Sequence, residues 1–243
     1  MKIERFILGW ISSSAAIWRQ GEDPERRVRF PVPAYVIETG GQRILLDTGL
    51  SSEAVDDPAG HYGPQAGLFE LEQERSLAEQ LDLSTLTMVV LTHLHFDHAG
   101  GLASLPPSIP IVLQRREWEA GRDAAAIKRN FLYPRDYEML GQARELVLLD
   151  GDHDLLGDGS IELLLTPGHT PGHQSVRIEE RLVIGADVAH FASTLDDRRF
   201  PSFADDFEAQ GRSADRLCGL RDDGITVLPG HDPDVLLPGL LTG

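Results

Sequence analysis

The feature that most restricts this chain is the run T-H-L-H-F-D-H-A-G-G at residues 92–101, which places His93, His95, Asp97 and His98 within six residues. It follows directly on residues 87–91, T-M-V-V-L, a short β-branched, apolar stretch that reads as a buried strand. A sheet holds the end of such a strand rigidly, so the loop leaving it can aim several imidazoles at one point. Gly100 and Gly101 would permit the tight turn this requires. Imidazole nitrogen and carboxylate oxygen are suitable donors for zinc, and equally for iron, nickel and manganese. A solvated polar loop that is merely His-rich is the competing reading, and the density of ligand-type residues weighs against it.

Three further residues each stand just past an apolar strand: His169 in T-P-G-H-T-P-G-H, Asp187 in V-I-G-A-D and His231 in V-L-P-G-H-D. A lone histidine is more often a hydrogen-bonded structural residue than a ligand. The shared position after a strand, where a sheet edge presents them to one cleft, groups these three with the first cluster.

The pattern along the chain is mixed α/β. Residues 33–39 and 43–46 read as strands joined by a Gly40-Gly41 hairpin turn and ending at Asp47-Thr48-Gly49. An acidic, irregular stretch, 51–68, is a candidate mobile lid, with disordered connection as the alternative. The apolar spacing of Leu71, Leu77, Ala78 and Leu81 predicts a helix over about 70–81. Further strands are expected at 109–113, 145–149, 160–166, 174–178, 182–186 and 225–228, with a helix before the last burying Phe207, Leu217 and Leu220. The absence of repeats or a Gly/Ser-rich linker makes residues 1–243 one domain.

Charge and composition exclude several classes of partner. With 22 Lys and Arg against 39 Asp and Glu, the net charge of −17 repels nucleic acid and anionic lipid. No apolar run approaches the roughly 20 residues that span a bilayer. The run around Phe6, Ile7 and Leu8 is too short for a signal-peptide core. The single cysteine, Cys218, allows no internal disulfide and suits a cytoplasmic setting.

The H-x-H-x-D-H signature at His93–His98, followed in order by His169, Asp187 and His231, resembles the metallo-β-lactamase superfamily. The segments P-V-P-A-Y-V-I-E-T and I-L-L-D-T-G look like that fold's opening hairpin, so the resemblance spans nearly the whole chain. It implies a four-layer αββα sandwich of two mixed β-sheets flanked by helices, and a site for two divalent metal ions. Zinc is the first expectation, with iron, cobalt, nickel and manganese able to take the same donors. By the resemblance, His93, His95 and His169 would hold one ion, Asp97, His98 and His231 the other, and Asp187 would bridge them.

Finer likeness, in T-H-L-H-F-D-H-A-G-G, T-P-G-H-T-P-G-H-Q-S, I-V-L-Q-R-R-E-W-E-A and the closing P-G-H-D, is to the N-acyl-homoserine lactonases. The implied activity is opening of a lactone ester by hydroxide bridging the two metals, on a small-molecule substrate, in a chain that could form a homodimer. Those enzymes usually carry a tyrosine three residues after the bridging aspartate, where D-V-A-H here puts His190. His190 is therefore a candidate hydrogen-bond or proton donor, with a structural histidine as the alternative. Asp97 ranks ahead of it as proton donor to the leaving alkoxide.

Other enzymes of the superfamily fit less well. Two-zinc β-lactamases commonly present a cysteine where Asp187 stands. Glyoxalase II has a longer chain with an added helical domain, for which the residues after His231 leave little room. A ribonuclease or phosphodiesterase would meet the negative charge, and di-iron redox relatives need a glutamate at His95. An arylesterase, or a metal-binding fold without activity, completes the alternatives.

Of the remaining polar residues, Asp47 and His173 are candidates to support metal-bound imidazoles, each against a plain structural role. His61 and His153 are assigned no metal role, and Ser193, Asp205 and Asp206 read as cap or surface residues. Trp10, Ile11, Phe30, Tyr62, Phe69, Phe131 and Phe200 are candidates to wall an acyl pocket, with two or three expected to do so.

Overall fold

A computed structural model describes residues 1–142, 145–236 and 239–241. Its strands are β1 (Lys2–Ser14), β2 (Arg27–Thr39), β3 (Gln42–Leu46), β4 (Glu70–Glu72), β5 (Met88–Val90), β6 (Ile111–Gln114), β7 (Leu146–Leu149), β8 (His153–Asp154), β9 (Ile161–Leu165), β10 (Gln174–Ile178), β11 (Leu182–Ile184), β12 (Thr226–Leu228) and β13 (Gly239–Leu240). Between them run the helices α1 (Ala15–Trp18), α2 (Ser52–Asp56), α3 (Pro58–Tyr62), α4 (Leu77–Gln80), α5 (Phe96–Ala99), α6 (Arg115–Ala120), α7 (Ala124–Arg129), α8 (Pro134–Tyr137), α9 (Thr194–Asp197) and α10 (Phe207–Asp222).

Among the described residues the strands form two sheets, ordered β13-β1-β2-β3-β5-β6-β7 with β4 also on β1, and β12-β11-β10-β9-β8. Both are mixed. β1, β2 and β3 pair antiparallel, β3, β5, β6 and β7 parallel; β8 to β11 pair antiparallel, and β11 with β12 parallel.

Strand alternation explains why these sheets stack. In the first sheet Ile44, Leu46, Val90 and Val112 point inward, meeting Leu163, Val176, Ile178 and Ile184 of the second. Their immediate neighbours Leu45, Val89, Ile111 and Leu113 point outward, onto Leu77, Leu94, Leu102 and Leu140 from the helical layer. Val183 leaves the second sheet on its far side and packs on Ala214 and Leu217 of α10. The result is the four-layer αββα sandwich.

Several local expectations are corrected. The helix predicted over 70–81 is two elements: β4 pairs with β1 through Leu71↔Ile11, and α4 begins only after Ser76, whose backbone N–H is capped by Glu79 at 2.8 Å. The Phe69/Leu71 alternation and the S-x-x-E capping box both mark that division. Residues 2–14, unassigned from the sequence, form the long β1, whose pairing with β2 shifts register between Ile7 and Trp10. That bulge breaks the alternation by which a strand is recognised. Segment 51–68 is not a structureless connection, since it forms α2 and α3 and buries Tyr62 and Ala66 in a cluster with Phe30 and Phe96. In α10, Leu217 is buried but Phe207 is exposed.

Candidate metal centre and its cavity

Sheet register brings the ligand-type residues to one edge. β3 and β5 are parallel, with Leu46 beside Val90, so the residues leaving both strands emerge side by side. There Asp47 accepts from the Thr92 backbone N–H at 2.7 Å and from its hydroxyl at 2.9 Å. In the second sheet β9 and β11 both run antiparallel to β10, and β12 runs parallel to β11, so β9, β11 and β12 all end at the same edge. Those ends deliver His169, Asp187 and His231.

The side chains converge. His93, His95, His169 and Asp187 offer donor atoms within 4.8 Å of one another, as do Asp97, His98 and His231, and also Asp187, His190 and His231. His95 presents Nδ1 and the others Nε2: His93 to His95 is 2.9 Å, His169 to His95 2.8 Å, and His98 to His231 3.4 Å. Asp187 Oδ2 lies 3.3 Å from His169, and Oδ1 lies 3.2 Å from His231. Donors about 2.05 Å from a tetrahedral ion stand about 3.3 Å apart, so this spacing is that of a coordination shell.

Unsatisfied atoms point the same way. Asp97 Oδ2 and Asp187 Oδ1 are buried without a hydrogen-bond partner, an arrangement a cation resolves. The imidazole nitrogens turned away from the cluster are mostly held. His98 Nδ1 donates to Asp47 at 2.8 Å, His231 Nδ1 to the Pro31 carbonyl at 2.9 Å and His95 Nε2 to the Asn130 carbonyl at 2.7 Å, which leaves the inward nitrogens free to bind. Burial, with neighbouring imidazoles, holds His93 and His169 well below the usual histidine range and therefore neutral. Burial opposes ionisation of Asp187, yet His190, His231 and His98 keep its carboxyl well below the usual range. Neutral imidazole and ionised carboxylate are the metal-binding forms, which His93, His169 and Asp187 hold. Against the effect of burial, Asp187 and its neighbouring carboxylates raise His98 and His231 above the usual histidine range.

Glycines serve close approach here more than turning. Gly100 and Gly101 do not have positive φ; a Cβ on Gly101 would sit 2.2 Å from the Thr48 carbonyl, so glycine lets the turn after α5 lie against that loop. A Cβ on Gly230 would sit 2.3 Å from Asp187 Oδ1.

Two supporting residues escaped the sequence reading or changed role. Glu117, from the R-R-E-W-E-A segment, is fully buried and ties both ligand loops together: it accepts from Leu94 N–H at 3.0 Å and from Gly172 N–H at 2.9 Å. Burial pushes its carboxyl up to about 6 against the pull of these hydrogen bonds. His173 lies behind the centre, its Nε2 accepting from the Asp187 backbone N–H at 3.1 Å while Nδ1 contacts Thr166. It positions Asp187. His61 lies elsewhere, paired with Asp136 at 2.7 Å, and His153 is on β8. Asp206 caps α10, Asp205 accepts from Arg129 and Asn130, and Ser193 precedes α9.

A cavity of about 190 Å³ opens beside His95, Asp97 and Asp187, walled by Ile17, Trp18, Leu68, Phe69, Phe96, Phe131, Tyr133, Ser202 and Phe203. Of the seven apolar candidates, Phe69 and Phe131 line it. Ile11 and Phe30 pack behind Trp18, Tyr62 against Phe96, Phe200 against the α10 side, and Trp10 under Arg29. Trp18 and Phe203 were missed because neither lies in a periodic pattern.

Residues 27–236 match the family model described as the metallo-beta-lactamase superfamily. The chain is 30% identical over 218 residues to the N-acyl homoserine lactonase AttM of Azorhizobium caulinodans, covering 84% of this chain and 82% of that one. It is 31% identical over 165 residues to the N-acyl homoserine lactonase AiiA of Bacillus thuringiensis subsp. kurstaki, covering 64% and 61%. It also resembles the solved structure of an N-acyl homoserine lactone hydrolase with the product N-hexanoyl-L-homoserine at the catalytic metal center. The TM-score is 0.83 and the identity 25%, over 96% of this chain and 94% of that one.

Proposed function

The chain belongs to the metallo-β-lactamase superfamily, and on that premise we propose that it is a dinuclear metal hydrolase that opens the ester bond of N-acyl-homoserine lactones. The observation that carries this reading is the meeting of an aromatic-walled cavity with a buried His/Asp centre, at Asp97 and Asp187.

His93 Nε2, His95 Nδ1 and His169 Nε2 would hold one ion, Asp97, His98 Nε2 and His231 Nε2 the other, with Asp187 between them. Two bound divalent ions lower the pKa of a water toward neutrality and polarise a carbonyl. Zinc is the ion we propose, because imidazole and carboxylate donors at this spacing suit it. The aromatic wall takes the acyl chain out of water and so sets the lactone against the carboxylates. Asp97 takes the proton of the attacking water as its oxygen joins the carbonyl carbon. It returns that proton to the ring oxygen as the C–O bond breaks, giving a carboxylate and an alcohol with release of one proton. His190, the other residue the sequence offers for proton transfer, packs against Trp18 and is not among the residues that line the cavity. Residues 1–243 are read as one hydrolase domain, supported by the contribution of both sheets to the centre. A cytoplasmic setting and a homodimer accompany the reading; among the described residues no helix is long and apolar enough to cross a membrane.

The test is ring opening of N-hexanoyl- and N-decanoyl-homoserine lactones, followed by proton release with and without chelator. Chelator-sensitive opening is expected. Fully metal-loaded protein that hydrolyses thioesters or aryl esters but neither lactone would overturn the assignment.

A further inference from the structure

His190 has no exposed surface, and neither of its ring nitrogens has a hydrogen-bond partner. Trp18 packs on its ring at 5.4 Å between centroids, and the residues lining the cavity include Trp18 but not His190. A substrate in that cavity meets Trp18, not the imidazole behind it. A buried polar group left unmet is destabilising, so a partner is to be sought on the inner side.

On that side stands the metal centre. His190 Nε2 lies 3.1 Å from Asp187 Oδ2 without the alignment of a hydrogen bond, and the two share a donor cluster with His231. The separation matches those of His169 and His231 from the same carboxylate, 3.3 and 3.2 Å. The backbone fixes the arrangement, because the His231 N–H donates to the His190 carbonyl at 2.8 Å. The two rings are thereby held 5.3 Å apart.

We propose that His190 Nε2 is an additional protein donor to the metal centre, on the ion shared by Asp187 and His231, and neither a proton carrier nor a contact to the substrate carbonyl. The inference rests on the dinuclear reading above. It also changes what the histidine does relative to a tyrosine at this position, since imidazole binds zinc-type ions as a neutral donor.

The test compares wild type, His190→Phe and His190→Leu by stepwise metal affinity in chelator competition and by the visible spectrum of the cobalt-substituted protein. Metal-free unfolding checks that each variant folds, and both should be at least as stable as wild type because an unmet imidazole is gone. The expected result is one ion loosened by about 10–100-fold with the other retained, and cobalt bands that intensify as a donor is lost. Unchanged affinities and an unchanged cobalt spectrum would overturn the proposal, and loss of lactone opening alongside them would return His190 to proton transfer. Wild type binding fewer than two ions would instead overturn the dinuclear reading on which the proposal stands.

Discussion

Replacing Glu117 separates a residue that organises the metal centre from those that bind metal. Its two carboxylate oxygens each receive one buried backbone N–H, from Leu94 between His93 and His95, and from Gly172 on the loop that carries His169. Glu117→Ala leaves both donors unmet, at about 1–3 kcal/mol each, so about 2–6 kcal/mol in all. Glu117→Gln keeps one acceptor and turns an NH₂ against the other N–H, so its cost should be about half. The donors of one proposed ion, His93, His95 and His169, all ride on these two loops, whereas His98 is held independently by Asp47. The loss should therefore fall on that ion. If about 2 kcal/mol reaches the site, its affinity drops by about 30-fold, at about 1.4 kcal/mol per tenfold. Stepwise affinities by chelator competition, beside urea unfolding of the metal-free protein, measure both parts. Equal loosening of the two ions, or affinities within about twofold of wild type for Glu117→Ala, would refute the argument.

Glu117 also predicts a pH dependence. Its carboxyl lies at about 6 folded against an ordinary 4.5, so the folded state holds more protons between these values and stability falls as pH rises through that window, by about 2 kcal/mol. The difference in metal-free unfolding between wild type and the non-ionising Glu117→Gln should show that slope, and parallel pH profiles would contradict it. Asp47→Asn removes the charge from the hydrogen bond to His98 and should weaken the ion held by Asp97, His98 and His231 by about 10–100-fold in the same competition assay. Phe203→Ala should raise KM for N-decanoyl-homoserine lactone by about tenfold while leaving kcat on a short-chain lactone nearly unchanged, because it removes apolar wall and no reacting group. An equal fall in kcat for both chains would place Phe203 elsewhere in the reaction.

The ligand-type residues were legible because their signal is local: four of them fall on one turn after one strand, and His169, Asp187 and His231 each follow another. The mixed α/β class was legible for a related reason, since 87–91, 109–113 and 182–186 are short apolar runs that read as buried strands, whereas the four-layer arrangement was legible only through the family resemblance. What stayed hidden depends on contacts between distant loops. Glu117 looks like an ordinary helix residue until the Leu94 and Gly172 N–H groups are seen to need it. Trp18 and Phe203 reach one cavity from opposite ends of the chain. Gly101 looked like a turn residue, although its lack of a side chain serves the approach of the Thr48 carbonyl. The β1 bulge and the β4–α4 division were lost for the opposite reason, because a single register shift or cap interrupts the periodicity that sequence reading follows.

The central claim, a dinuclear centre that opens lactones, is tested most directly by titrating metal-free protein with zinc while following N-hexanoyl-homoserine lactone opening in the same sample. The account predicts activity that rises until two ions are bound per chain and then levels. Full activity at one ion per chain, or no ring opening with two ions bound, would contradict it.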